Sequence, residues 1–174
     1  MTLEVRRIVT TNTKEGKAMV ASDERLTAVS RGLGHGIDGC EIWSTDAMPV
    51  DNSARDEHRQ RAGVVRTNNY VGSGSGSAFR ITQFAPGHAL FPHRTQTIDY
   101  AILLTGQLDL ELDDEATVRL MPGDVVVQRG TIHCWINRGG VPAAIAFILL
   151  DAKPCESDKG PLPTYFPSPN ADTR

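Results

Sequence analysis

The chain has 174 residues, 40% hydrophobic and 22% charged, with 18 Lys and Arg against 21 Asp and Glu for a formal charge of -3. That length and composition suit one ordinary domain whose core needs no disulfide or metal to hold it. Mild acidity without a basic block argues against nucleic acid or an anionic membrane as partner, and 16 glycines with 10 prolines favour many short strands over a few long helices.

In chain order, residues 3–10 and 17–22 read as a strand pair turning near Lys14 to Gly16. Residues 40–44 are a further short strand. The stretch 23–38 before it, with Gly32, Gly34, Gly36 and the following Gly39, is expected to be loop. Residues 48–61 are polar and charged, and Asp51 or Asn52 can cap a short helix over 55–61, the one helix expected. GSGSGS at 72–77 reads as a flexible tract.

From residue 78 the texture changes. Strands are predicted over 78–84, 98–104, 107–112, 117–120, 125–128, 132–137 and 143–150, separated by PG, TG, DDE, PGD, RG and RGG turns. Short strands at this regular spacing imply a sandwich or barrel. The tail 152–174 carries five of the ten prolines and is expected to lie along the surface or stay partly disordered. The chain thus divides into strands and loops over 1–77, a barrel core over 78–151 and a proline-rich tail over 152–174. The first residues lack the apolar core of a signal peptide, and the longest apolar run, 141–150, is too short to span a bilayer. The three cysteines form no CxxC pair. A cytoplasmic protein is the expectation.

Side chains alternate across a strand, so residues of one parity share a face. His93, Thr95, Thr97, Asp99, Ala101 and Leu103 form one face, polar at one end and apolar at the other. That is the pattern of a barrel wall with a pocket near its mouth and a core deeper down. Ile98, Tyr100, Ile102 and Leu104 form the other face, apolar and suited to packing against a second layer. His133, Trp135 and Asn137 share a face in the same way. Two histidines, an aspartate and a threonine can therefore converge inside one barrel.

Here the sequence resembles the cupin superfamily. Gly87, His93, Thr95, Asp99 and Gly106 keep every spacing of its first motif; Gly123, Asp124, Gly130, His133 and Asn137 keep that of its second. The resemblance extends to small single-domain, conserved-barrel (cupin 2-like) members through EIWSTDAMP at 41–49 and the two motif segments. It implies an all-β fold, a cupin-type double-stranded β-helix (jelly-roll) barrel with an N-terminal strand extension, in proteins that often accompany catabolic or secondary-metabolite pathways. In typical members three His and one Glu hold a divalent metal. In this chain Thr95 stands for the second histidine, Asp99 for the glutamate and Gln128 for a proline. Carried over, His93, Asp99 and His133 are the metal-ligand and catalytic candidates, for Fe, Mn, Ni or Zn.

Thr95 and Trp135 are the candidate substrate-binding residues, although Trp135 can equally fill core. Without a metal, His93 and His133 would hydrogen-bond Thr95 and Asp99, either as a water-holding polar pocket or as an acid–base pair. The leading expectation is a metal-dependent lyase, isomerase or dioxygenase acting on a small organic metabolite in the barrel. The alternative is a non-catalytic, metal-free small-molecule-binding or regulatory cupin. A homodimer is expected, formed through a strand such as 3–10. Tyr100 and Arg94 should face outward, and Arg80 is read as an outside salt bridge before a substrate contact. His88, His35 and His58 read as surface residues, Cys134 as a buried core thiol. GLGHGIDG lacks the strand, helix and lysine of a phosphate loop.

Overall fold

The computed structural model describes residues 2–30, 36–45, 47–52 and 76–167. Its strands are β1 (Glu4–Asn12), β2 (Ala18–Thr27), β3 (Val29–Ser30), β4 (Ile37–Thr45), β5 (Ser77–Phe84), β6 (Ala89–His93) and β7 (Thr97–Thr105). There follow β8 (Leu108–Glu111), β9 (Thr117–Leu120), β10 (Val125–Arg129), β11 (His133–Ile136), β12 (Ala143–Asp151), β13 (Glu156–Ser157) and β14 (Gly160–Pro161). A 3-10 turn at Asp113–Glu115 is the one helical element among the described residues. None of their helices is long and apolar enough to cross a membrane. The helix expected over 55–61 lies outside the described residues, as do Gly32, Gly34, His35 and His58.

A six-stranded sheet, β10-β7-β12-β5-β4-β3, faces a four-stranded sheet, β6-β11-β8-β9, and the fold is the jelly-roll barrel that the motifs imply. The N-terminal strands β3 and β4 extend the larger sheet. Alternation decides which side chains enter the interior. In β5, Ala78, Arg80, Thr82 and Phe84 are buried and their neighbours are not; in β7, Thr97, Asp99, Ala101 and Leu103 are. Ile37, Phe84, Leu103, Leu108, Trp135 and Ile145 fill the apolar part of the barrel. A separate cluster of Ala28, Cys40 and Ile42 joins the outer face of β4 and β5 to the β1–β2 ribbon.

The structure corrects several expectations. Residues 23–27 belong to β2, where they pair with residues 4–8 of β1, and residues 37–39 belong to β4, where they pair with β5. β6 was not anticipated because it contains Pro92; it is an edge strand, where a missing N–H is tolerated. Among the described residues, none forms a second layer along the even face of β7. The β1–β2 ribbon covers β4 and β5 instead, leaving Tyr100 and Leu104 exposed beside Val125 and Val127 of the edge strand β10.

The tail does not simply lie along the surface or lose order in its described part. It forms the β13–β14 hairpin and returns to the barrel, where Tyr165 exchanges backbone hydrogen bonds with Arg94 in both directions (2.9 and 3.0 Å).

Two motif residues have a structural reason. Gly106 turns β7 into β8 at φ +76, and a Cβ there would lie 2.6 Å from the Pro142 carbonyl, so only glycine fits. Asn137 is fully buried and ties three backbone segments. Its amide donates to the carbonyls of Phe84 and Val141 (2.9 Å each), and its Oδ1 accepts from Gly139 N (2.9 Å). Asn137→Ala strips partners from buried carbonyls and should cost about 2–4 kcal/mol. A lowered denaturant midpoint with unchanged slope is the expected result; an unchanged midpoint contradicts this role.

Candidate functional site

The pairing of β6 with β11 sets His93 directly opposite His133, with an irregularity in the ladder between His133 and Trp135. The two rings lie 4.4 Å apart between centroids. His133 is 2% exposed and His93 is half-buried. Phe166, from the returning tail, stacks on His93 (5.8 Å, 18° between planes), and Phe91 meets the same ring edge-on. Trp135 contacts His133 edge-on from below and Phe147 beyond it. At 2% exposure Trp135 is buried in the core against His133.

The Nδ1 partners of the imidazoles differ. His93 Nδ1 lies 3.0 Å from the Phe91 carbonyl, so it carries the proton and leaves Nε2 with a bare lone pair. Gln128, buried on β10, donates through its amide nitrogen to the Thr131 carbonyl (2.9 Å). The same nitrogen lies 2.9 Å from His133 Nδ1. With Nδ1 accepting that nitrogen's second hydrogen, the ring proton of neutral His133 sits on Nε2, and the neutral pair presents one acceptor and one donor. With Nδ1 donating to the Thr131 carbonyl at 3.0 Å, the contact His93 makes with Phe91, the proton sits on Nδ1 instead.

Electrostatics keep both rings neutral. Burial lowers the His93 pKa, against the pull of the Phe91 carbonyl. Burial first, and the neighbouring His93 second, bring His133 down to about 4.

Asp99 does not join them. Its environment is Thr97, which hydrogen-bonds it, and Arg80; burial pushes its carboxyl up to about 6 against both. Asp99 Oδ1 has no hydrogen-bond partner. Thr95, also buried, bonds Thr97 through their hydroxyls (2.7 Å) rather than either histidine. The histidine–aspartate hydrogen bond expected from the sequence is not formed; the two imidazoles lie beside each other, with their Nδ1 atoms against backbone carbonyls and Gln128. Arg80 faces inward, not out: its position shares parity with Ala78, Thr82 and Phe84, and its Nε lies 3.8 Å from Glu41 Oε1. That parity is the signal that sequence reasoning missed.

His88 packs its ring over Gly36, with Nδ1 3.0 Å from the Pro86 carbonyl. Cys134 is a buried thiol whose pKa desolvation raises to about 11, as suits a core residue.

The divalent ion implied by the family pattern does not fit these residues as arranged. Among the described residues no three His, Cys, Asp or Glu side chains come together as an ion-binding group. His93, Asp99 and His133 all lie within the barrel, but they do not meet at one point.

Residues 80–149 match the family described as Cupin domain. The chain is 37% identical over 117 residues to "Phomopsin biosynthesis cluster protein C'" of Diaporthe leptostromiformis, covering 67% of this chain and 62% of that protein. It is 40% identical over 122 residues to "Cupin-domain-containing oxidoreductase srdD" of Neurospora crassa, covering 68% and 61%. The chain therefore spans about three fifths of the length of these curated relatives. Among solved structures, a Cupin 2 conserved barrel domain protein from Salinispora arenicola CNS-205 aligns at 17% identity and TM-score 0.46, over 69% of this chain and 80% of that one.

The two shifted groups act oppositely on stability. His133 stays neutral in the fold below its ordinary 6.5, so its contribution is complete above pH 6.5 and is lost as pH falls through about 4. Asp99 is raised from 3.8, so its contribution is complete below pH 3.8 and is lost as pH rises through about 6. His133→Asn should flatten the acid-side fall in stability, and Asp99→Asn should gain on the parent chain as pH rises through about 6. Each effect is on the order of 2–3 kcal/mol. Denaturant titrations across this range check both, and curves parallel to the parent's contradict the assignment.

Proposed function

We propose that this chain, a member of the cupin superfamily through residues 80–149, binds a small organic metabolite against the His93–His133 pair and moves a proton on it. The observation that carries the reading is the pair itself. Two imidazoles lie 4.4 Å apart; on this reading His93 has a free Nε2 lone pair and His133, with Gln128 donating to its Nδ1, has an Nε2–H. His93 Nε2 takes a proton from carbon next to a carbonyl, and His133 Nε2–H donates to the oxygen on which negative charge develops. A neutral imidazole can serve as such an electrophile when its pKa is lowered, because the ring need not first lose a proton. Return of the proton from His93 to a different carbon gives an isomerase. Its delivery to a departing group gives a lyase.

Gln128 is a positioning residue, acting through the tautomer of His133. Phe166 covers the pair from the tail side, so a substrate reaches the imidazoles by displacing that ring. Relatives named for biosynthesis clusters and as oxidoreductases support a setting in which small organic molecules are modified. Arg80 and Asp99, on the same interior, supply polar contacts for a substrate's oxygen or nitrogen atoms. The rival reading is a binding protein without turnover, favoured by the neutral threonine at position 95 and by the aromatic cover over His93.

Carbonyl-bearing organic acids and phenolic metabolites, incubated with the protein in deuterated water and followed by proton NMR, separate the two. The proposal expects exchange or loss of a carbon-bound proton, slowed at least about 100-fold by His93→Asn. Gln128→Leu should lower kcat more than it raises KM. Saturable binding with no turnover, the same in parent and His93→Asn, supports the binding reading instead.

The proposal includes a homodimer. The β1–β2 ribbon is a two-stranded sheet of its own that exposes Ile8, Met19 and Val20. Light scattering at micromolar protein should give twice the chain mass; the mass of one chain contradicts it.

A further inference from the structure

Where β7 begins and β10 and β12 end, the returning tail leaves a cavity of about 220 Å³ against the sheet. That is room for a small molecule rather than one water, whose share of liquid volume is about 30 Å³. The cavity is not the histidine site: neither His93 nor His133 lines it. Its charged lining is one-sided. Arg94, Arg129 and Lys153 contribute three cations, and among the described residues no Asp or Glu lines it. None of the three forms an ion pair among the described residues, and Arg94 Nε is buried without a hydrogen-bond partner.

The space is built into the fold. The Tyr165 backbone bridge to Arg94 holds the far part of the tail. Cys155 Sγ, 3.1 Å from the Arg129 carbonyl, holds the near part. Gly130 turns at φ +60, and a Cβ there would come within 3.2 Å of Cys155 Sγ, so the absence of a side chain keeps wall and tail in register. Three cationic residues in one lining and an unmet guanidinium N–H favour an anion there. An oxyanion offers each of them a charge-assisted acceptor, and arginine suits planar carboxylate or tetrahedral phosphate.

We infer that this rim cavity is a binding site for a small oxyanion, the phosphate or carboxylate of a metabolite, separate from the histidine pair. It is independent of the proton-transfer reading, since it rests on other residues.

The test uses the full chain, titrated calorimetrically with inorganic phosphate and, in a second arm, with acetate. Comparison is with Arg129→Gln/Lys153→Gln, a double variant at exposed positions. Saturable binding of either probe should weaken at least about tenfold in the double variant and fall with added salt. Phosphate should also slow modification of Cys155 by a neutral maleimide, because Cys155 lines the cavity. Binding of phosphate alone assigns the site to phosphate esters; binding of acetate too extends it to carboxylates. Failure of both probes to bind at millimolar concentration overturns the inference. So does equal binding by a double variant whose circular dichroism and melting match the parent. His93→Asn should leave phosphate binding unchanged, so loss of turnover and loss of anion binding report on separate claims.

Discussion

The cross-strand pairing of His93 with His133 is the constraint on which the account of this molecule turns. Two imidazoles 4.4 Å apart cannot both carry charge cheaply, and burial between two sheets makes even one charge expensive. The rings therefore stay neutral, and their chemistry is decided by where each keeps its single proton. Groups outside the rings bear on that choice: the Phe91 carbonyl for one, and the Gln128 amide and the Thr131 carbonyl for the other. A side chain on a third strand, β10, thereby reaches into the site without facing a substrate itself.

The surrounding fold serves this pair. Trp135 and Phe147 floor it with apolar surface, which lowers the local dielectric and sustains the neutral state. Asn137 and Gly106 close the turns that align β5, β7, β8 and β12, so the strands carrying the interior residues are held in register. Arg80, Glu41 and Asp99 form a second polar group on the six-stranded sheet. The barrel thus carries two polar clusters on opposing sheets rather than one convergent ligand set. Substituting Thr95 for a histidine goes with this division, since its hydroxyl is committed to Thr97.

Much of this was legible in the chain. Strand parity put Thr97, Asp99, Ala101 and Leu103 on one inward face, and the burial of β7 follows it; the face expected to begin at His93 is split, because His93 lies on β6 of the other sheet. What parity cannot give is distance across the barrel. It put Asp99 and the histidines inside without saying which of these groups would pair. The inward turn of Arg80 was readable from Ala78, Thr82 and Phe84, but a preference for exposed arginines overrode the pattern. β6 escaped because a proline usually argues against a strand. The role of the tail escaped because a proline-rich composition carries no record of the backbone bridge at Tyr165 or of Phe166 over His93.

The most direct measurement of the central claim is the imidazole ¹⁵N spectrum of the folded protein at neutral pH. The account predicts two neutral rings of opposite tautomer: the proton on Nδ1 of His93 and on Nε2 of His133, with His133 remaining uncharged well below its ordinary titration range. A protonated His133 at neutral pH, or the same tautomer at both histidines, would contradict it.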